Sequence, residues 1–343
     1  MYKVAIIGLG QIGYKIDNDP FRSCIWSHAK AYQKHPNCTL IAVSDLDQNN
    51  YKDFNKIYPK INFYKNYIQL LKKEEIEILS ICTPTSTHLK IVENLFHSKS
   101  LKSIFIEKPM GQDLNEAIKI SKICKKNNIS LAINYMRKWE TKYISIKKII
   151  KKKTLGNLQT ISAYGCTALL TSASHLIDLF LYYGGTIDWL VGSIQTDFIR
   201  KIDNKISDHG GIAFVKFKNG SFGLLKGISK HQYNYMFELD LLFSIGRIKI
   251  FNDGKNIEFY KFSSSKKTSG KEYKTLEQFN INNIDLSDNE RMLDAITNII
   301  DNIENKIVLK SNEINSIHNH RFIKLIKLSN SISNKKIIYN EQI

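Results

Sequence analysis

Nowhere in this sequence does a run of apolar residues approach the roughly 18 needed to cross a bilayer as a helix, and none is expected to do so. Cysteine is scarce. Cys24, Cys38, Cys82, Cys124 and Cys166 include no C-x-x-C pair and no histidine at zinc spacing, so no metal site is expected. A sparse, odd set of thiols in a long chain fits a reducing compartment. The N-terminus runs straight into Val4-Ala5-Ile6-Ile7 with no basic leader and no small-residue cleavage site, the pattern of a cytoplasmic protein. Acid is also in deficit: 32 Asp and Glu face 50 Lys and Arg, a formal charge of +18. The lysines are scattered among Asn and Ile, and no basic helix or aromatic-studded strand pair accompanies them. No nucleic acid is therefore expected as a partner. A phosphorylated or nucleotide-linked small molecule fits the charge better.

What is present is the composition of an ordinary folded protein, 43% hydrophobic and 24% charged over 343 residues. At about 150 residues per domain the length suggests two domains. From residue 2 to about 135, short apolar runs alternate with amphipathic stretches. The strands are expected at Lys3 to Ile7, Thr39 to Ser44, Ile78 to Cys82, Ser103 to Ile106 and Leu131 to Asn134, with helices at Leu89 to His97 and Asn115 to Lys126. This is the pattern of a doubly wound α/β Rossmann domain over 1–135.

After Trp139 a helix, Thr141 to Lys152, leads into segments rich in Tyr, Phe and Ile: 159–164, 189–197, 211–217, 221–228, 237–243, 247–251 and 257–262. Lys218-Asn219-Gly220 and Asn252-Asp253-Gly254 are turn signals for antiparallel hairpins. An α+β domain with one large, mostly antiparallel sheet is expected over 136–343. Residues 263–280 read as a loop. Helical patterns at 288–302 and 313–330 are placed to cap that sheet.

The first strand ends in Gly8-Leu9-Gly10-Gln11-Ile12-Gly13. In a dinucleotide site Gly8 would allow the tight turn, Gly10 would let backbone amides approach a pyrophosphate, and Gly13 would permit close packing of helix on strand. Free N–H groups at the start of the following helix would add to the anion site. Asp45, at the end of the second strand, is placed to accept from the adenosine ribose and to repel a 2'-phosphate. Leu46 follows it rather than an arginine, so NAD is favoured over NADP. Asp45 comes 32 residues after Gly13 against the usual spacing of about 20, which requires an insertion, expected between Tyr14 and Trp26. An ordinary strand-end acid remains the alternative for Asp45.

Three further stretches bear on the chemistry: Cys82-Thr83-Pro84-Thr85-Ser86-Thr87-His88, Ile106-Glu107-Lys108-Pro109 and His175-Leu176-Ile177-Asp178. Lys108 falls at the C-terminal end of a buried strand, where open α/β sheets bind ligands. His175 and Asp178 share a face if their segment is helical. Taken singly, Lys108 is one lysine among many and His175 has a structural alternative. In this order, behind this glycine turn, the chain resembles the Gfo/Idh/MocA (glucose-fructose oxidoreductase / inositol dehydrogenase) family over nearly its whole length. The resemblance implies that Lys108, often followed by a cis peptide, contacts nicotinamide and substrate. It implies that His175 is the acid-base residue and that Asp178 binds substrate or orients the site. It places Thr83, Pro84, Thr85, His88, Glu107 and Asn134, with Gly8, Gly10, Gln11, Ile12 and Gly13, against the cofactor. Arg137, in the stretch after the last strand, would hold an anionic substrate group, with a surface arginine as the equal alternative.

The implied activity is hydride transfer between a nicotinamide and a sugar, polyol or nucleotide-linked sugar, with surface-carbohydrate synthesis as one setting. A reductase of another C=O or C=N substrate and a non-catalytic NAD-responsive binding protein are the alternatives. One departure stands out. Many members of the family carry an acid or asparagine four residues before the histidine, and this chain has Thr171, whose hydroxyl supplies no charge. The resemblance also implies a homodimer or homotetramer formed through the C-terminal sheet.

Overall fold

The computed structural model describes residues 1–202, 206–229, 236–269, 271–281 and 284–340. The chain divides into two compact units, one of Met1–Glu140 with Asp288–His318 and one of Thr141–Ser287 with Asn319–Ile343. Among the described residues no helix is long and apolar enough to cross a membrane.

The first unit alternates strand and helix: β1 (Tyr2–Ile7), α1 (His28–Lys34), β2 (Cys38–Ser44), α2 (Gln48–Ile57), β3 (Asn62–Tyr64), α3 (Tyr67–Lys73), β4 (Ile78–Ile81), α4 (His88–Val92), β5 (Ser103–Ile106), α5 (Leu114–Lys126) and β6 (Ser130–Ile133). The strands form one parallel sheet in the order β3-β2-β1-β4-β5-β6, the doubly wound arrangement of a dinucleotide fold. Because side chains alternate along a strand, β1 feeds both faces. Val4 and Ile6 pack with Tyr32, Phe54 and Ile296, whereas Ala5 and Ile7 pack with Leu70, Ile91 and Ile120. The starts of α1, α2, α3 and α5 are fixed by side-chain caps, as at α5, where Asp113 accepts from the Glu116 amide at 2.9 Å. The helical pattern at Leu89 to His97 resolves into α4 and a separate 3₁₀ turn, Leu95–His97.

The second unit holds α6 (Thr141–Lys152), β7 (Leu158–Gly165), α7 (Ala173–Gly184), β8 (Ile187–Ile202), β9 (Ile206–Phe217), β10 (Phe222–Gly227), β11 (Phe237–Phe243), β12 (Gly246–Phe251), β13 (Asn256–Ser269) and β14 (Lys271–Gln278). After it come α8 (Arg291–Asn305), α9 (Glu313–Ser331) and β15 (Ile337–Ile338). The sheet order is β14-β13-β12-β11-β7-β10-β9-β8-β15, and among the described residues only β7 and β10 pair in parallel. Both expected hairpin turns join antiparallel neighbours, with Asn252, Asp253 and Gly254 all at positive φ in the second. One face of this sheet is covered by Ile146 of α6, by Leu176, Phe180 and Tyr183 of α7 and by Phe322 and Ile326 of α9.

Two expectations need correction. The stretch 263–280 is not a loop, because β13 and β14 run through it as an antiparallel pair. Its Ser- and Lys-rich part is the end of β13 that runs past β12 and pairs with the edge strand β14, a place that needs no apolar alternation. The helix at 291–305 does not cap the large sheet. Met292, Ala295, Ile296 and Ile299 instead pack in the core of the first unit beside Val4, Ile6 and Phe105. An amphipathic stripe shows that a helix is buried on one side and is silent about which apolar face it covers.

Phe180 is fully buried, with ring centroids of Phe217 and Phe322 at 5.4 and 5.9 Å. Gly223 leaves space for its ring, since a Cβ there would lie 2.4 Å from Phe180 Cζ. Phe180→Ala is expected to destabilise the second unit by about 3–5 kcal/mol, read by urea denaturation. A loss below about 1 kcal/mol would mean that the site collapses around the missing ring.

Candidate active site

The glycine turn is dictated by lack of space. Gly8 ends β1 at φ +100°, and a Cβ on it would stand 2.8 Å from the carbonyl carbon and oxygen of Cys82 and 2.9 Å from Thr83 N. A Cβ on Gly13 would fall 2.2 Å from Gly8 O, so the returning turn presses directly on the strand end. Gly10 has open space where its side chain would be, and Gln11 beside it is exposed. The chain coils into a helical turn, with Tyr14 N donating to Gly10 O at 3.2 Å and Ile16 N to Gln11 O at 2.8 Å. The N–H groups of Gly10, Gln11, Ile12 and Gly13 donate to no acceptor among the described residues, the state of donors at any helix start.

The helix does not continue from that turn. After a 3₁₀ turn at Lys15–Asn18 the chain leaves and re-enters as α1, where His28 N donates to Ile12 O at 3.1 Å and Ala29 N to Gly13 O at 3.0 Å. This excursion is the insertion that the long spacing to Asp45 requires. The Asp17 carboxylate closes it, accepting from Trp26 N and Ser27 N, both at 2.9 Å, and from Ser27 Oγ at 2.6 Å. Asp45, half-buried after β2, accepts from Leu9 N at 2.6 Å and from Asp47 N at 2.8 Å. Its carboxylate is thereby tied to the glycine turn; Oδ1 also accepts from Asn50 Nδ2 at 3.3 Å, and Oδ2 keeps acceptor capacity.

The exits of the next strands are also tied together. His88 is fully buried, with Nε2 2.9 Å from Thr83 O and Nδ1 3.2 Å from Met110 O, so it links the loops after β4 and β5. Burial pushes its pKa down, against the pull of those carbonyls. Thr85 is buried, Pro84 is exposed, and Thr87 Oγ1 donates to Thr83 Oγ1 at 2.7 Å. After β5 comes Glu107, 8% exposed, whose Oε1 accepts from Asn134 Nδ2 at 2.6 Å and lies 3.0 Å from His28 Nε2. His28 Nδ1 in turn lies 2.7 Å from Ser80 Oγ, which Tyr32 OH meets at 2.8 Å. Burial opposes charge on Glu107, but His28, Asn134 and Lys108 together outweigh it and hold the carboxyl below its ordinary range. Lys108, half-buried, follows, and the Lys108–Pro109 peptide is cis, as the resemblance implies. Arg137 lies in the 3₁₀ turn Met136–Lys138 and is buried.

In the second unit, His175 and Asp178 lie one helical turn apart on α7 and are 7% and 3% exposed. Thr171 precedes the helix. Asp208 of β9 reaches it, with Oδ1 accepting from Leu170 N and Oδ2 from both Thr171 N and Thr171 Oγ1, each at 2.8 Å. The structure thus brings the glycine turn, Asp45, the Thr83 loop, Glu107, Lys108 and Asn134 to one edge of the parallel sheet, while Thr171, His175 and Asp178 belong to the other unit. Sequence reasoning missed His28, Ser80, Tyr32 and Asp208. Asp208 is an acid followed by His209-Gly210-Gly211 inside an aromatic-rich strand, a place where a charge is rarely left without a partner.

Residues 2–135 match the model of the oxidoreductase family Gfo/Idh/MocA, described as an NAD-binding Rossmann fold. The chain is 20% identical to a myo-inositol 2-dehydrogenase of Thermotoga maritima, over 72% of this chain and 74% of that protein. It is 24% identical to a scyllo-inositol 2-dehydrogenase (NAD(+)) of Bacillus subtilis, over 72% and 73%. Among solved structures, the WlbA dehydrogenase of Bordetella pertussis, in complex with NADH and UDP-GlcNAcA, superposes with a TM-score of 0.76 at 14% identity over 99% of each chain. With this sheet order and this glycine turn, residues 2–135 form the NAD-binding Rossmann fold that the Gfo/Idh/MocA oxidoreductase model describes, and the chain as a whole is similar to dehydrogenases that share it.

Proposed function

We propose that the protein is an NAD-dependent dehydrogenase that moves a hydride between the cofactor and a carbinol or keto carbon of a polyol, sugar or nucleotide-linked sugar. One observation carries the reading: the open amides after β1, the Asp45 carboxylate after β2 and Lys108 after β5 share one edge of the parallel sheet. Open sheets of this order bind dinucleotides at that edge. The residues fit the group. Gly10 to Gly13 offer a pyrophosphate donors that meet no acceptor among the described residues, and Asp45 Oδ2 has acceptor capacity left for ribose hydroxyls but would repel a 2'-phosphate. NAD, when bound, supplies the hydride acceptor or donor.

Lys108 is assigned to hydrogen-bond the reacting oxygen, and His175 to take the hydroxyl proton. Asp178 and Arg137 are assigned to substrate hydroxyl or anionic groups. Glu107 and Asn134, with His28 behind them, hold the strand ends beside Lys108. The inositol dehydrogenases among the relatives support a ring carbinol, and the charge of +18 supports an anionic substituent.

A second copy of the chain is the proposed partner. The uncovered face of the large sheet exposes Ile212, Phe214, Phe222 and Leu224, and the rings of Phe214 and Phe222 stack at 5.6 Å beside Trp189. A contiguous exposed apolar patch of this kind marks an interface.

Fluorescence titration is expected to show NADH binding at least about tenfold more tightly than NADPH, about 1.4 kcal/mol, with Asp45→Ser narrowing the gap. Equal or tighter NADPH binding would remove the assignment of Asp45. In a screen of polyols, sugars and nucleotide-sugars, Lys108→Met and His175→Ala should each lower kcat by about 10²–10⁴-fold and leave NADH affinity within about threefold of wild type. Intact turnover in both variants would overturn the chemistry. Light scattering is expected to give a mass of two or four times 39.6 kDa, falling to the monomer in Phe214→Glu/Phe222→Glu. A wild-type monomer would dismiss the sheet face as an interface.

A further inference from the structure

The entry to α7 lacks an acid at position 171, and the structure brings a carboxylate to that place from a distant strand. Asp208 is 2% exposed and spends both oxygens on two consecutive residues, accepting from Leu170 N, Thr171 N and Thr171 Oγ1, each at 2.8 Å. Charge-assisted bonds of this kind are shorter and stronger than neutral ones, and an acid is favoured at the N-terminal end of a helix.

The same segment is seated on the sheet independently of Asp208. Leu169 N donates to His209 O at 2.9 Å, and Ala173 N to Ala168 O at 3.1 Å. A Cβ on Gly211 would lie 3.0 Å from Leu169 Cδ1, and one on Gly227 would lie 3.1 Å from Thr167 O. Glycines at these two strand positions let the segment lie directly on the sheet. Ser174 Oγ, donating to Thr171 O at 2.5 Å, carries the order into the first turn of the helix. His175 follows Thr171 by four residues, one helical turn.

We propose that Asp208 is a positioning residue of the active site: a strand-borne carboxylate that takes the place of the missing acid at 171, clamps the Leu170–Thr171 turn and so sets the direction of the His175 imidazole. The proposal rests on the reading of His175 as the acid-base residue. An asparagine side chain in place of the carboxylate would present one acceptor oxygen and one donor amide to three donors, so Asp208→Asn breaks the clamp with little change of shape. A reacting group displaced by about 1 Å loses rate on the order of a hundredfold.

The test compares full-length wild type with Asp208→Asn, Thr171→Val and the double variant Asp208→Asn/Thr171→Asp. Hydrogen exchange in peptides covering 168–176 is expected to quicken at least about tenfold in Asp208→Asn, with exchange in β7 and β10 and NADH affinity unchanged. On whichever substrate wild type turns over, kcat should fall about 10- to 100-fold with KM nearly constant. The double variant, which returns a carboxylate to the turn, should recover part of that loss. Thr171→Val keeps both amide bonds and should show a smaller change in the same direction, and it carries the test if Asp208→Asn unfolds the sheet. Unchanged exchange at 168–176, or a fall in kcat that only tracks the folded fraction and is not recovered by the double variant, would overturn the proposal. If wild type turns over no polyol, sugar or nucleotide-sugar, the acid-base assignment of His175 fails, while the exchange result still upholds or overturns the clamp.

Discussion

The first unit is organised by a steric prohibition at the end of β1. Gly8 runs so close to the backbone of Cys82 and Thr83, and Gly13 so close to Gly8 O, that neither position has room for a single carbon. From that crossing the other contacts follow. Leu9 N is presented to Asp45, the loop carrying Thr83 is pressed against the turn, and the amides of Gly10 to Gly13 meet no acceptor among the described residues. A methyl group at either glycine would part β1 from β4 at the place where open sheets bind their ligands.

Within each unit, carboxylates hold backbone and side chains in place. Asp17 closes the excursion before α1, Glu107 gathers His28 and Asn134, and Asp208 fixes the turn before α7. In each, a short acid links segments that lie apart in the sequence. Buried polar groups of this kind are retained only when their partners are complete, and each partner is set by the fold rather than by its neighbours in the chain. The thiol nearest the glycine turn takes no part: burial pushes Cys82 well above the ordinary thiol range, which leaves it a packing residue.

Much of this was legible beforehand, where the signal is local. Ser103 to Ile106 and Phe237 to Phe243 coincide with β5 and β11, because a short apolar run and an alternation broken only at Leu242 each have one economical reading. The glycine turn and Glu107-Lys108-Pro109 could be found because their constraints act within a few residues. Less legible were α2, a polar helix that buries Phe54, and α3 and the three-residue β3, which are too brief to show a period. The partners of the buried acids could not be read at all. His28 meets Glu107 across 79 positions, and Thr171 meets Asp208 across 37. A lone histidine or aspartate in a sequence carries no mark of what faces it, since that pairing exists only once strands have chosen their neighbours. Thr171 looked like a missing charge for the same reason: the sequence shows what stands at a position and not what reaches it.

The place of α8 has a consequence for how this molecule comes into being. The helix that covers Val4, Ile6 and Phe105 is made from residues 291–305, after every strand from β7 to β14. During synthesis the parallel sheet therefore waits, with part of one face uncovered, while about 150 intervening residues are added that carry all of the large sheet but its last strand, β15. The nucleotide half of the protein begins first on the ribosome and is finished late, and a nascent chain stalled anywhere before residue 291 would carry the glycine turn on an incomplete core.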